Sequence, residues 1–228
     1  MNYHWDPDKY KQTVEKTSYL PLQEYMNYEF RIIKGIDNLR KKTFIDVGAG
    51  YGRIIPYLAK SVGQIIAVEL DERMINNLNG VASKYSNVLV IEGKAQDLSV
   101  LLRDLKIKKP VVLSLQNTLG TPTGDYQEML SEIIKVARDY RGEIIISLFI
   151  QEGLEDYGVP MYSELLDLVG EPDLDKTDYN KGDFVSKTGY KSHWWRLEER
   201  AEILEILEAD EITEFKEDFF YIIHGKYK

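Results

Sequence analysis

The run Asp46-Val47-Gly48-Ala49-Gly50-Tyr51-Gly52 sets one carboxylate ahead of three glycines at alternate positions, and a second carboxylate, Glu69, closes the next apolar run. Glycine accepts positive φ and has no Cβ to hold a ligand off the main chain. The N–H groups of such a turn, and of a helix that starts behind it, are placed to bind a polar ligand. Two kinds of element must hold these residues. The apolar run Thr43 to Val47 reads as a buried strand leading into the turn, and the spacing of Ile54, Ile55, Tyr57 and Leu58 predicts a helix leading out of it. Gln64 to Glu69, rich in β-branched residues, reads as the neighbouring strand, with Glu69 at its tip. A carboxylate there can accept hydrogen bonds from both hydroxyls of a ribose.

The spacing separates this turn from a dinucleotide fingerprint. G-x-G-x-x-G places its third glycine one residue later, and Arg53 stands where that pattern has Gly or Ala. Asp46-x-Gly48-x-Gly50-x-Gly52 instead resembles the first motif of class I methyltransferases that use S-adenosylmethionine. The resemblance implies that the turn Gly48, Ala49, Gly50 and Gly52 passes under the methionine part of the cofactor and that Asp46 holds its amino group. It also implies that Glu69 holds the ribose and that Leu70 flanks the adenosine. Asp71 reads as the cap of the helix that follows. After the third strand, Asn87 to Ile91, this family often carries Gly-Asp-Ala, its acid meeting the adenine amine. Here Lys94 takes that acid's place, which leaves Ala95 with Gln96 or Asp97 to contact the adenine; Asp97 reads equally as a helix N-cap.

The fourth strand, Val111 to Leu115, opens into Gln116-Asn117-Thr118-Leu119-Gly120-Thr121. In open parallel sheets ligands bind beyond the carboxyl ends of the strands, where the strand order reverses. This loop lacks the Asn/Asp-Pro-Pro-aromatic sequence of enzymes that methylate bases in nucleic acid. It resembles the Asn-bearing loop of small-molecule N-methyltransferases, which implies a cofactor-side role for Gln116 and a catalytic one for Asn117; a turn-forming Asn is the alternative. Families of this kind often fold N-terminal helices over the site, which implies that at least one of Tyr10, Tyr19, Tyr25 and Tyr28 reaches it, with Tyr19 the catalytic candidate. His193, next to Trp194 and Trp195, is the third catalytic candidate, against a plain hydrogen-bonded histidine. The two tryptophans read either as packing for a cationic amine or as ordinary core.

These residues need a doubly wound α/β scaffold. Strands alternate with helices from Lys41 onward, and the resemblance implies a seven-stranded, mostly parallel sheet of order 3-2-1-4-5-7-6 with the last strand antiparallel. Residues 1–40 read as an N-terminal helical cap, with Asp6-Pro7-Asp8 a helix-start signal. Residues 41–228 read as the core. Within it, 151–195 breaks the strand–helix rhythm, with a helix expected over Met161–Val169 and a strand over Asp183–Tyr190; the resemblance implies that this insertion forms the substrate lid. Leu197 to Leu207 reads as a helix, and Glu211–Phe215 with Phe219–His224 as a closing hairpin.

The 228 residues suit one such domain, and a formal net charge of −9 argues against a protein that mainly tracks a phosphate backbone. No cysteine is present, which excludes disulfides and thiolate chemistry, and the three histidines at 4, 193 and 224 are too scattered to suggest a metal site, so none is expected. The polar start and the lack of a long apolar run predict a cytoplasmic protein without membrane contact. The expectation is therefore transfer of a methyl group from S-adenosylmethionine to a small molecule, an amine nitrogen ahead of oxygen. The alternatives are a protein or RNA methyltransferase, or a non-catalytic cofactor-binding module.

Overall fold

The computed structural model describes residues 6–121 and 125–228. Two helices come first, α1 (Pro7–Glu15) and α2 (Leu20–Lys34), the former capped by Asp6, whose Oδ1 accepts from the N–H groups of Asp8 and Lys9. The core then runs β1 (Thr43–Val47), α3 (Ile55–Leu58), β2 (Gln64–Glu69), α4 (Glu72–Ala82), β3 (Val88–Glu92), α5 (Leu98–Leu101), β4 (Val111–Ser114), α6 (Tyr126–Asp139) and β5 (Glu143–Phe149). The segment after β5 holds a turn of π-helix at Leu154–Gly158, then α7 (Val159–Glu164), α8 (Leu166–Val169) and a hairpin of β6 (Asp183–Val185) with β7 (Lys191–His193). Helix α9 (Leu197–Leu207) and the strands β8 (Glu211–Lys216) and β9 (Phe220–Lys226) complete the chain.

Seven strands form one sheet in the order β3-β2-β1-β4-β5-β9-β8. The first five pair in parallel, and β9 enters antiparallel between β5 and β8. With the β6–β7 hairpin set aside, this is the expected order. Period-two alternation divides the core between the two faces of the sheet. Ile45 and Val47 of β1 pack with Ile66, Val68 and the α6 residues Met129 and Ile133 on one face. Phe44 packs on the other with Ile65 and the α2 residues Tyr25 and Ile33. Asp46 shares the Phe44 face, so its carboxylate faces the side covered by α2.

Three expectations change in detail. The helix behind the glycine turn is one turn long, because positive φ persists to Gly52 (86°) and the chain stays in turns as far as Ile54. The expected helix 161–169 is two short helices broken at Leu165, and the expected strand 183–190 folds back on itself at Gly189 (φ 89°) as β6 and β7. Both tryptophans that follow β7 are core: Trp194 stacks on Phe149 at 4.8 Å between ring centroids, and Trp195 packs edge-on to Tyr126 at 4.9 Å. No helix among the described residues is long and apolar enough to cross a membrane. Residues 1–5, including His4, lie outside the described residues.

Candidate active site

A cleft of about 700 Å³ opens at the carboxyl ends of β1, β2 and β4, where the strand order reverses. One half is polar and is built around the glycine turn. Gly48 (φ 72°) and Gly50 (φ 55°) need the left-handed conformation, and a Cβ on Gly48 would sit 2.7 Å from Thr118 Cγ2. The N–H groups expected to be free are in use: those of Gly48 and Ala49 donate to Val68 O, Gly52 N–H donates to Ala49 O, and Gly50 N–H donates to Glu69 Oε2 at 2.7 Å. Glu69 Oε1 accepts from the N–H groups of Leu70 and Asp71 at 2.8 and 2.9 Å. The acid at the tip of β2 thus braces the turn. Three contacts leave room on a carboxylate, which offers about four lone-pair sites, for a further donor from the cleft.

Asp46 is 5% exposed, and its carboxylate takes no hydrogen bond among the described residues. Burial pushes its pKa up to about 7, with Glu29 and Glu69 adding to the rise and Arg53 opposing it. Arg53 is itself buried. Its Nη2 donates to Glu29 Oε2 at 2.5 Å, while its Nη1 has no partner. Glu29, fully buried on α2, also accepts from Gln116 N–H at 2.8 Å and from Ser147 Oγ at 2.6 Å. Tyr25 O–H donates to Ser147 Oγ, and Tyr10 O–H donates to Gln116 Oε1. Tyr51 adds a second buried polar atom without a partner, its hydroxyl. Asp46, Tyr51 and Arg53 all line the cleft. The arrangement presents an open carboxylate beside two open donors, a chemistry that suits the ammonium and carboxylate ends of an amino acid.

The other half of the cleft is apolar and comes from both flanking segments. Val14 and Leu22 reach it from the N-terminal helices, and Met161, Leu168 and Tyr190 from the segment after β5. These two segments are tied together by Tyr19 O–H donating to Tyr157 O at 3.1 Å.

Of the residues singled out in the sequence, Asp46, Gly48, Ala49, Gly50, Glu69, Leu70, Ala95, Gln96 and Gln116 all line the cleft, as does Lys94. Gly52 lies beneath it, where a Cβ would meet Leu78 Cδ1 at 2.8 Å, so its role is packing. The three catalytic candidates do not converge. Gln116 and Asn117 both have positive φ (50° and 59°), and while Gln116 lines the cleft, Asn117 is buried outside it. There the Asn117 Nδ2 donates to His193 O, and its Oδ1 accepts from Phe149 N–H and Trp195 Nε1–H, so it fastens the end of the segment after β5 to the sheet. Tyr19 spends its hydroxyl on Tyr157. His193 is held between Asp183 and Glu199, 2.8 and 3.1 Å from its ring nitrogens, away from the cleft lining. Asp71 caps α4 as expected, its Oδ1 accepting from Arg73 N–H, whereas Asp97 makes no side-chain cap.

The residue that sequence reasoning missed is Glu29. Its signal was present: Leu22, Tyr25, Glu29 and Ile33 share the buried face of α2, and a charged residue on such a face needs a partner.

The doubly wound sheet with its antiparallel terminal pair, and a cleft built on an acid-led glycine turn, define the class I methyltransferase architecture. Residues 44–139 match the family model described as a methyltransferase domain. A curated relative, the ribosomal RNA small subunit methyltransferase A of Geobacter sulfurreducens, is 29% identical over 122 residues, covering 50% of this chain and 43% of its own length. The chain therefore spans less than half the length of that relative. Among solved structures, an S-adenosylmethionine-dependent methyltransferase from Aquifex aeolicus superposes with a TM-score of 0.60 at 19% identity, covering 99% of this chain and all of that one. The Burkholderia thailandensis 1,6-didemethyltoxoflavin-N1-methyltransferase, solved with its substrate and S-adenosylhomocysteine, superposes with a TM-score of 0.57 at 14% identity over 97% of this chain and 87% of that one. At these identities the likeness is one of fold.

Proposed function

We propose that the chain transfers a methyl group from S-adenosylmethionine to a small, largely apolar acceptor, at an amine nitrogen. The observation that carries this reading is the apolar half of the cleft, lined by Val14 and Leu22 on one side and Met161, Leu168 and Tyr190 on the other. A pocket lined by apolar groups from two sides suits a molecule that can be surrounded; a polymer needs an open groove. The net charge of −9 points the same way. An RNA acceptor is the second reading, favoured by the name of the Geobacter relative.

In this reading Asp46 takes the cofactor's ammonium group, Arg53 Nη1 and Tyr51 O–H its carboxylate, Glu69 the ribose, and Ala95 with Gln96 the adenine. When bound, the cofactor supplies a methyl group on a sulfonium, a donor that already carries its leaving group. The chain's tasks are alignment and exclusion of water. Gln116, oriented by Tyr10 and by the Glu29 contact to its N–H, offers an amide to the acceptor's N–H at the junction of the two halves. A neutral amine presents its lone pair without a base; the proton leaves the nitrogen after transfer.

Glu69→Ala is expected to weaken S-adenosylhomocysteine binding by about 1–3 kcal/mol, through loss of charge-assisted hydrogen bonds. Unchanged affinity in calorimetry would remove Glu69 from the cofactor site. The acceptor class is tested with labelled S-adenosylmethionine and an extract of the source cells, with Gly50→Asp as control. Label in the acid-soluble fraction is the expected result. Label in the precipitate that nuclease releases would establish the RNA reading instead.

A further inference from the structure

The end of the sheet opposite the cleft, at the amino ends of the parallel strands, holds a second cavity of about 610 Å³. Its size lies within the roughly 300–1,000 Å³ typical of small-ligand sites. Three separate parts of the chain deliver cations to it. Lys41 and Lys42 lead into β1, Lys108 and Lys109 lead into β4, and Lys226 ends β9 beside His224. Strand pairing brings them together: Thr43 N–H donates to Lys108 O and Lys108 N–H donates back to Thr43 Oγ1, while Glu143 and Lys226 are register partners between β5 and β9.

Two carboxylates face this cavity, Asp37 and Glu143. Glu143 is already committed, hydrogen-bonded by Lys42 Nζ and by His224 Nε2. Burial alone would raise its pKa, but those two partners outweigh it and hold the group down to about 2. Lys42 and Glu143 therefore neutralise each other. Lys41, Lys108 and Lys109 are exposed and form no ion pair among the described residues. Lys109 also holds a left-handed φ of 41° directly before Pro110, a backbone that neither a Cβ-bearing residue nor a position ahead of proline favours. In a chain of net charge −9, composition alone does not produce such a concentration of like charge, and like charges gathered without partners repel.

The geometry points to an anion-binding site here for a compact polyphosphate of the triphosphate class, separate from the cleft and independent of the methyl-transfer reading. Lysine ammonium groups bind phosphate as mobile point charges, and several of them around a concave space match an anion whose charge is equally concentrated. A short anion is favoured over a polymer because the acidic surface repels a polyanion that extends beyond the cavity.

The test is calorimetric titration of the full chain with inorganic triphosphate at low ionic strength. One equivalent is expected to bind, and Lys41→Gln/Lys109→Gln is expected to weaken it about tenfold, as two exposed charge contacts predict. Both side chains are exposed, so the variant should melt with the parent and bind S-adenosylhomocysteine equally well. Absence of binding, binding without a defined stoichiometry, or affinity unmoved by the double substitution would each overturn the site. A nucleoside triphosphate that competes at equal or higher affinity supports it. A single-stranded RNA that displaces triphosphate with more than about tenfold higher affinity overturns the compact-anion assignment in favour of a polymer.

Discussion

Replacing Glu29 with alanine is expected to destabilise the protein by about 3–5 kcal/mol, because it strands the Arg53 guanidinium in the interior without a counter-charge. Arg53 is 8% exposed and Glu29 fully buried, so solvent cannot take over the lost contact. The same substitution leaves the N–H of Gln116 and the hydroxyl of Ser147 without their acceptor. Urea unfolding gives the stability loss, and binding of S-adenosylhomocysteine by the surviving folded fraction gives the functional one. A double substitution, Glu29→Leu with Arg53→Met, separates the two effects. Filling the space with apolar groups should recover most of the stability, since a buried ion pair is often no better than a packed apolar one, while cofactor affinity stays lost for want of Arg53 Nη1. A Glu29→Ala chain that unfolds with the parent would disprove the account of the buried pair.

The second large effect is a pH dependence carried by Asp46. Burial raises its folded pKa to about 7 from an ordinary value of 3.8. Below the lower value both folded and unfolded chains hold the proton, and Asp46 is neutral to stability. Between the two values the folded chain keeps a proton that the unfolded chain releases, so stability falls as pH rises, by about 4 kcal/mol across the window, and stays down above pH 7. Asp46→Asn should remove that slope and leave the protein more stable than the parent at neutral pH without cofactor. Ligand binding should run the other way. An ammonium group favours the ionised carboxylate, so S-adenosylmethionine should expel a proton between pH 5 and 7, and its affinity should climb over that range. Calorimetry in buffers of different ionisation enthalpy counts the proton. The asparagine variant should bind about ten- to a hundredfold more weakly at pH 8, matching the loss of one charged hydrogen-bond partner. A proton count of zero in the parent chain would show that Asp46 does not meet the cation.

Most of the scaffold was legible because its signals are local. Alternating apolar runs gave the strands, Asp6-Pro7 and Asp71 gave helix starts, and the acid-led glycine turn carried the resemblance that implied the sheet order. That Asp46, Glu69 and Gln116 line one cleft was legible for the same reason: they sit at strand ends, and strand ends in this topology converge. The assignments to Asn117, Tyr19 and His193 rested on residue type near the right place, and the deciding facts were non-local. Asn117 and Gln116 are neighbours in sequence, yet only Gln116 lines the cleft. Its neighbour is instead bound by Trp195 and Phe149, contacts no one-dimensional pattern displays. Glu29 was overlooked because a glutamate within a helix ordinarily faces water, and its partner Arg53 lies in a different element. The stretch 183–190 read as one strand, whereas the fold turns it back at Gly189 into a hairpin whose second strand leads Trp194 and Trp195 into the core.

The Arg53–Glu29 pair also constrains how this chain can be recombined. Arg53 belongs to the glycine turn, the part shared with other proteins through the matched domain, whereas Glu29 belongs to α2, ahead of that match. A chimera that grafts the N-terminal helices of another methyltransferase onto this sheet inherits an unmatched cation unless the donor helix offers a carboxylate at the same depth. Substrate ranges altered by swapping those helices will therefore be accessible only between chains that agree at these two positions, or in grafts where both are changed together.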